Sequence, residues 1–209
     1  MTTSPPPLVL DARLNPGKVV ARAASLLRGG ALAVIPTDTV YGLAAHPALP
    51  QAIARLFTVK GRDALKPIPL LIAELADAET YGAEFSPLAR RLAKAFWPGA
   101  LTLVLPVHTA GGGTEGFRVP DCAITLALLR EGGGVLRVTS ANRSGEPPAT
   151  TAEEAQAALG ADVQVILDNG PAPRGIPSTV ARVVGNTLEI LREGAISEAT
   201  LRAAAANQS

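Results

Sequence analysis

Strand-like and helical segments alternate along nearly the whole chain, which predicts an α/β fold built on a twisted, open sheet with helices packed around it. Two observations carry that expectation. Short apolar runs recur between segments of helical period, at 31–35, 68–72, 101–105, 135–138 and 163–167. Near the end, Gly185-Asn186 separates two alternating segments, a two-residue hairpin signal that makes the sheet mixed, parallel and antiparallel. With 209 residues, 47% of them apolar, the chain is long enough for one domain with a large core.

The elements follow in order. Pro5, Pro6 and Pro7 favour an extended arm over 1–12, within which Leu8-Val9-Leu10 adds an edge strand; the main domain then runs over 13–209. Asn15 is placed to cap a helix that opens on Pro16 and stops at Gly29-Gly30. Its apolar residues Val19, Val20, Ala23, Leu26 and Leu27 share a face. A strand over 31–35 is closed by Pro36, and a helix over 50–59 carries Ile53, Leu56 and Phe57 inward. After the strand at 68–72, Ser86-Pro87 opens a helix through Phe96. Residues 110–116 read as a glycine-rich loop, Asp121 as the cap of a helix ending at Arg130, and 135–138 as a strand. Thr151 and Glu154 have capping-box spacing for the next helix. A strand at 163–167, the hairpin strands 179–184 and 187–191, and a helix over 197–205 complete the series.

Composition narrows the chemistry. Nineteen basic against eighteen acidic side chains leave no global basic field for nucleic acid. Cys122 is the single cysteine, which excludes an intramolecular disulfide and fits a cytoplasmic setting. The first residues lack the pattern of a signal peptide, and no apolar run approaches the ~20 residues of a membrane helix.

The chain lacks the phosphate-binding glycine loop that precedes Lys-Ser/Thr, and it lacks a dinucleotide fingerprint. Polar clusters stand in their place. Lys60 and Arg62 follow a helix, and in an extended segment alternate residues point one way, so both cations can face one cleft. A solvated helix end is the rival reading, since the dipole favours cations there. Ser140 and Asn142 follow the strand at 135–138, where open α/β sheets bind ligands; a plain turn is the alternative. Thr37-Asp38-Thr39 reads as a site rim, and Arg118, Arg192 and the Ser178-Thr179 loop extend it. His46 and His108 have no metal-ligand spacing, and Phe96 and Trp97 read as core.

Taken together these segments resemble the YrdC-like family of threonylcarbamoyl-adenylate synthases, in its short, single-domain form. The matching pieces are IPTDTVYGLAA at 35–45, KGR at 60–62, KPIPLLIA at 66–73, WPGALTLVL at 97–105, FRVP at 117–120, TSANRSGEPPAT at 139–150, PSTVARV at 177–183 and ILREG at 190–194. The resemblance implies a nucleotidyltransferase that makes threonylcarbamoyl-AMP and pyrophosphate from L-threonine, bicarbonate and ATP. Its product serves the N6-threonylcarbamoyl modification of tRNA, so tRNA threonylcarbamoyl-transfer proteins are the implied partners. It places Lys60, Arg62, Ser140 and Asn142 as the catalytic tetrad and, with Thr114 and Arg192, as the ATP site. Thr37, Arg118 and Ser178 fall on positions that hold L-threonine, Arg118 pairing with its carboxylate. Magnesium is expected on ATP rather than on a protein ligand set. Lys60 is expected in an exposed cleft, where its removal leaves the fold intact.

Two departures from the family pattern stand out. Leu71 takes a place where long members carry a histidine. The C-terminal domain of the long form is not in this sequence, which transfers the role of a lid to residues 110–116. The alternative within the same fold is an RNA-binding paralogue with little synthase activity.

Overall fold

The computed structural model describes residues 5–61, 67–108 and 112–206. Among these residues ten strands form one sheet: β1 (Leu8–Asp11), β2 (Ala33–Ile35), β3 (Gly42–Ala45), β4 (Leu70–Ile72), β5 (Leu101–Pro106), β6 (Thr114–Arg118), β7 (Val135–Ser140), β8 (Val165–Asp168), β9 (Thr179–Val184) and β10 (Thr187–Arg192). Seven helices accompany them: α1 (Pro16–Arg28), α2 (Pro50–Lys60), α3 (Leu75–Thr80), α4 (Pro87–Phe96), α5 (Ala123–Glu131), α6 (Ala152–Leu159) and α7 (Glu198–Ala206). The strand order is β1-β8-β2-β3-β7-β4-β6-β5-β9-β10. The pairs β1/β8, β2/β8, β4/β6 and β5/β9 are parallel and the others antiparallel, so the sheet is mixed as expected.

Alternation along each strand divides the core into layers. Ala33 and Ile35 of β2, Val165 and Leu167 of β8, and Leu136 and Val138 of β7 meet α1 and α5 on one face. Val34, Leu43 and Ile166 meet α2 and α6 on the other. Farther along, that second face is covered by α4 and α7, which pack on Leu101, Leu103, Phe117, Ala181 and Val183. The first face of β6, β5 and β9 carries the residues between these: Gly116, Arg118, Thr102, Val104, Val180 and Arg182. None of them belongs to the three apolar clusters, and all line a cavity.

The helix starts follow their local chemistry. The side chains of Asn15, Ser86 and Thr151 each accept a backbone N–H at the start of their helix. The structure corrects one cap. Asp121 does not cap α5: Cys122 holds the N-cap position without a side-chain bond, and the Asp121 N–H donates to Asp38 Oδ1 at 3.0 Å. Three elements were not anticipated. α3 is only six residues long, β3 lies just beyond the segment read as a rim, and part of β6 falls where the pattern reads as loop. Among the described residues no helix is long and apolar enough to cross a membrane.

Candidate active site

The cavity on the uncovered face has a volume of about 500 Å³. Of the residues anticipated from sequence, Thr37, Thr114, Arg118, Ser140, Ser178 and Arg192 line it. Lys60 and Asn142 sit directly behind Ser140. Arg62 and the first two residues of the proposed lid, 110 and 111, lie outside the described residues.

The inner wall grows from the ends of β2, β6 and β7. Thr37 follows β2 in a tight turn: its Oγ1 donates to the Val40 carbonyl at 2.6 Å and accepts the N–H groups of Thr39 and Val40. This pins the turn and aligns Thr39 to accept from Arg118 Nη1 at 2.9 Å. Asp38 is not among the lining residues and is 3% exposed. Its Oδ1 accepts from Arg118 Nη2 at 2.5 Å, and Arg118 Nε donates to the Gly99 carbonyl at 2.8 Å. Burial pushes the Arg118 guanidinium below its ordinary pKa, and the Asp38 carboxylate beside it opposes that shift. Asp38 Oδ2 has no hydrogen bond, and the half-exposed Arg174 stands 3.6 Å from it. Of the segment Thr37-Asp38-Thr39, read from sequence as a site rim, Thr37 and Thr39 line the cavity and Asp38 does not. All three are buried, and Asp38 serves Arg118.

Lys60 also departs from expectation. It is the last residue of α2, followed by Gly61 in the left-handed C-cap conformation at φ 62°, so the alternation of an extended segment does not apply to it. It is 4% exposed rather than open to a cleft. Its ammonium donates to the carbonyls of Ser140 and Asn142 at 2.8 and 2.9 Å, to Ser140 Oγ at 3.0 Å and to Asn142 Oδ1 at 2.5 Å. The Ser144 N–H returns a bond to the Lys60 carbonyl at 2.8 Å, and Asn142 Nδ2 donates to the Arg143 and Glu146 carbonyls. The segment after β7 is thus wound around one buried cation. Gly42 of β3 pairs with Ser140 and must be glycine, because a Cβ there would stand 2.6 Å from Val138 Cγ1.

The outer wall comes from β9, β10 and the segment before β9. Ser178 Oγ bonds Thr102 Oγ1 at 2.9 Å, and Arg192 Nη2 donates to the Ser178 carbonyl at 2.7 Å. Arg192 pairs with Val180 only because a bulge at Leu191 shifts the β9/β10 register. Without that bulge, with Leu191 paired in regular register, alternation would turn Arg192 to the core face beside Ile190. Gly194 closes the junction, since a Cβ there would lie 2.3 Å from the Pro177 carbonyl oxygen.

Some contributors escaped the sequence reading. Glu115 lines the cavity and forms a half-buried two-pronged pair with Arg137, at 3.2 and 2.8 Å. Burial lowers the Arg137 pKa, but the Glu115 bonds outweigh it and the net direction is up. Tyr41 lines the cavity while its hydroxyl points away, donating to the Gly170 carbonyl at 2.6 Å. Burial pushes that phenol up to about 12. The Asp38–Arg118 and Glu115–Arg137 pairs span 80 and 22 residues, and no local pattern announces either of them.

The arrangement presents hydroxyls and guanidinium groups to a concave space, with both nearby carboxylates already neutralised by arginine. Such a space favours anions. Among the described residues no cluster of metal-ligating side chains occurs.

A family model named for Sua5, YciO and YrdC, and described as "Telomere recombination", matches residues 25–194. A Bacillus subtilis protein named threonylcarbamoyl-AMP synthase is 37% identical over 192 residues, 88% of this chain and 56% of that protein. A Mycobacterium tuberculosis protein named putative threonylcarbamoyl-AMP synthase is 37% identical over 185 residues, 85% of each. The crystal structure of Pyrococcus abyssi Sua5 complexed with L-threonine superposes with a TM-score of 0.82 at 33% identity, covering 90% of this chain and 57% of that one. This chain thus spans little more than half the length of the Bacillus and Pyrococcus relatives.

Proposed function

Because this chain belongs to the Sua5/YciO/YrdC family, we propose that it is an L-threonylcarbamoyladenylate synthase, with the cavity as its active site. The observation that carries this reading is the convergence of Thr37, Arg118, Ser140, Ser178 and Arg192, spread over most of the sequence, on one hollow of about 500 Å³. That volume falls in the range of small-ligand sites.

In this reading the amine of L-threonine combines with bicarbonate-derived CO2 to give a carbamate. A carbamate oxygen attacks the α-phosphorus of ATP, the bond to the bridging oxygen breaks, and pyrophosphate leaves with its electron pair. Two anions must approach, so positioning and fixed positive charge supply most of the rate. Arg118 has five N–H groups, three of them held by Asp38, Thr39 and Gly99, which leaves two donors on a fixed fork for the threonine carboxylate. Thr37 and Ser178 flank it. Ser140, Asn142, Thr114 and Arg192 serve the nucleotide, together with Lys60 and Arg62. Lys60 acts on the phosphates either by releasing one of its present bonds or by orienting Ser140 and Asn142. Magnesium arrives with ATP and is held by phosphate oxygens and water, since Asp38 and Glu115 are both paired to arginine. The product would pass to the proteins that transfer the threonylcarbamoyl group to tRNA.

The test is an incubation of the purified chain with MgATP, bicarbonate and L-threonine, scored for pyrophosphate and threonylcarbamoyl-AMP by mass spectrometry. Threonine-dependent formation of both products supports the assignment. Pyrophosphate release without threonine, or no turnover, refutes it.

A further inference from the structure

Arg182, inside the PSTVARV segment, is a cation of the cavity to which neither the sequence reading nor the proposed function gives a role. It lies on β9 in register with Val104 of β5, which pairs in turn with Gly116 of β6. All three residues line the cavity. Thr114, two residues from Gly116 along β6, therefore lies on the same face of the sheet. Arg182 thus stands two strands from the position assigned to ATP and beside β10, which bears Arg192.

Its partners are poor for such a place. The Arg182 side chain is 43% exposed, but its Nε is buried and has no hydrogen bond among the described residues. Among those residues it pairs with Glu189, its cross-strand neighbour on β10, at 3.3 Å between Nε and Oε2. The Glu189 side chain is 56% exposed, so water screens the pair. The contrast with the other arginines is sharp. Arg118 is held by three protein acceptors, Arg137 by the Glu115 carboxylate, and Arg192 by the Ser178 carbonyl.

We propose that Arg182 is a polyphosphate-binding residue and that Glu189 is its resting counter-ion, a latch from which the guanidinium swings when a triphosphate enters. A ligand oxygen would then supply the acceptor that Nε lacks. This rests on the nucleotide reading of the cavity, but it concerns the phosphate chain alone and can be tested without turnover.

The experiment titrates the whole chain with inorganic triphosphate by calorimetry, using wild type, Arg182→Ala, Glu189→Gln and the double variant, with melting curves to verify folding. Replacing Arg182 should weaken binding by about 10-fold, the loss of one charge-assisted contact. Glu189→Gln should tighten it by about 3-fold, the strength of an exposed pair. In the Arg182→Ala background the Glu189 change should have no further effect. Equal affinity of Arg182→Ala and wild type overturns the proposal, as does the absence of triphosphate binding by wild type. A Glu189→Gln gain that persists without Arg182 overturns the latch, because Glu189 then acts only through its field. Arg182-dependent triphosphate binding by a protein that forms no adenylate would instead sink the synthase reading and leave this inference standing.

Discussion

The wall built from the ends of β2, β6 and β7 holds its charges buried and paired, whereas the wall built from β9 and β10 carries its arginines at an edge. On the inner wall, Arg118 is 6% exposed and fixed by Asp38, Thr39 and Gly99, and Lys60 is encircled by oxygens of Ser140 and Asn142. On the outer wall, Arg192 and Arg182 reach in from a two-stranded ribbon whose second strand bulges. Buried charges hold position well, but each depends on its partner, since an unpaired one is costly in a medium of low polarity. The lesson is a division of labour: one wall is shaped before substrate arrives, and the other can adjust to it.

The contrast can be broken most directly at Asp38. Asp38→Ala strands the Arg118 guanidinium and should cost about 3–5 kcal/mol of stability, read from urea unfolding. A loss below about 1 kcal/mol, within the range of exposed ion pairs, would mean the inner wall is no more integrated than the outer one.

Lys60→Ala comes next. It leaves the oxygens of Ser140 and Asn142 without their shared donor, so about 2–3 kcal/mol of stability should go together with the proposed synthase activity. Activity lost at full stability would restore the exposed-lysine expectation that the burial contradicts.

Tyr41→Phe tests how the inner wall is tied to the loop after β8. Losing the bond to the Gly170 carbonyl should cost about 1–1.5 kcal/mol at neutral pH. The sign with pH follows from the raised phenol. Its contribution is fully present below its ordinary value of 10.0 and is lost as pH rises through about 12. Wild type should therefore weaken over that interval while the variant changes less, a difference visible in melting temperatures.

The smallest stability effect is expected on the outer wall. Arg192→Ala should shift stability by less than about 1 kcal/mol, while ATP affinity falls by about 10-fold in a direct titration. A stability loss matching that of Asp38→Ala would erase the distinction between the walls.

Much of this architecture was legible before folding. Asn15, Ser86 and Thr151 announce their helices, Gly185-Asn186 announces the β9/β10 hairpin, and short apolar runs mark β2, β4, β5, β7 and β8. The elements that escaped are short and lack local signals. β3 is Gly42-Leu43-Ala44-Ala45, and β6 opens on Thr114-Glu115-Gly116; neither has a strand's usual alternation. They become strands because neighbours on both sides supply ladder partners, which is a long-range condition.

The same division holds at the site. Local residue types and spacing, together with the family resemblance, specified which side chains to watch: Thr37, Lys60, Arg118, Ser140, Asn142, Ser178 and Arg192. Only the tertiary structure decided what each of them touches. Lys60 became a buried clamp because α2 ends against the segment after β7, and Arg118 gained a partner 80 residues away. Arg192 faces the cavity because one extra residue in β10 reverses the side on which it emerges. Propensity and pattern act over a few residues along the chain, whereas burial, charge pairing and sheet register depend on contacts between segments that meet only in the folded molecule.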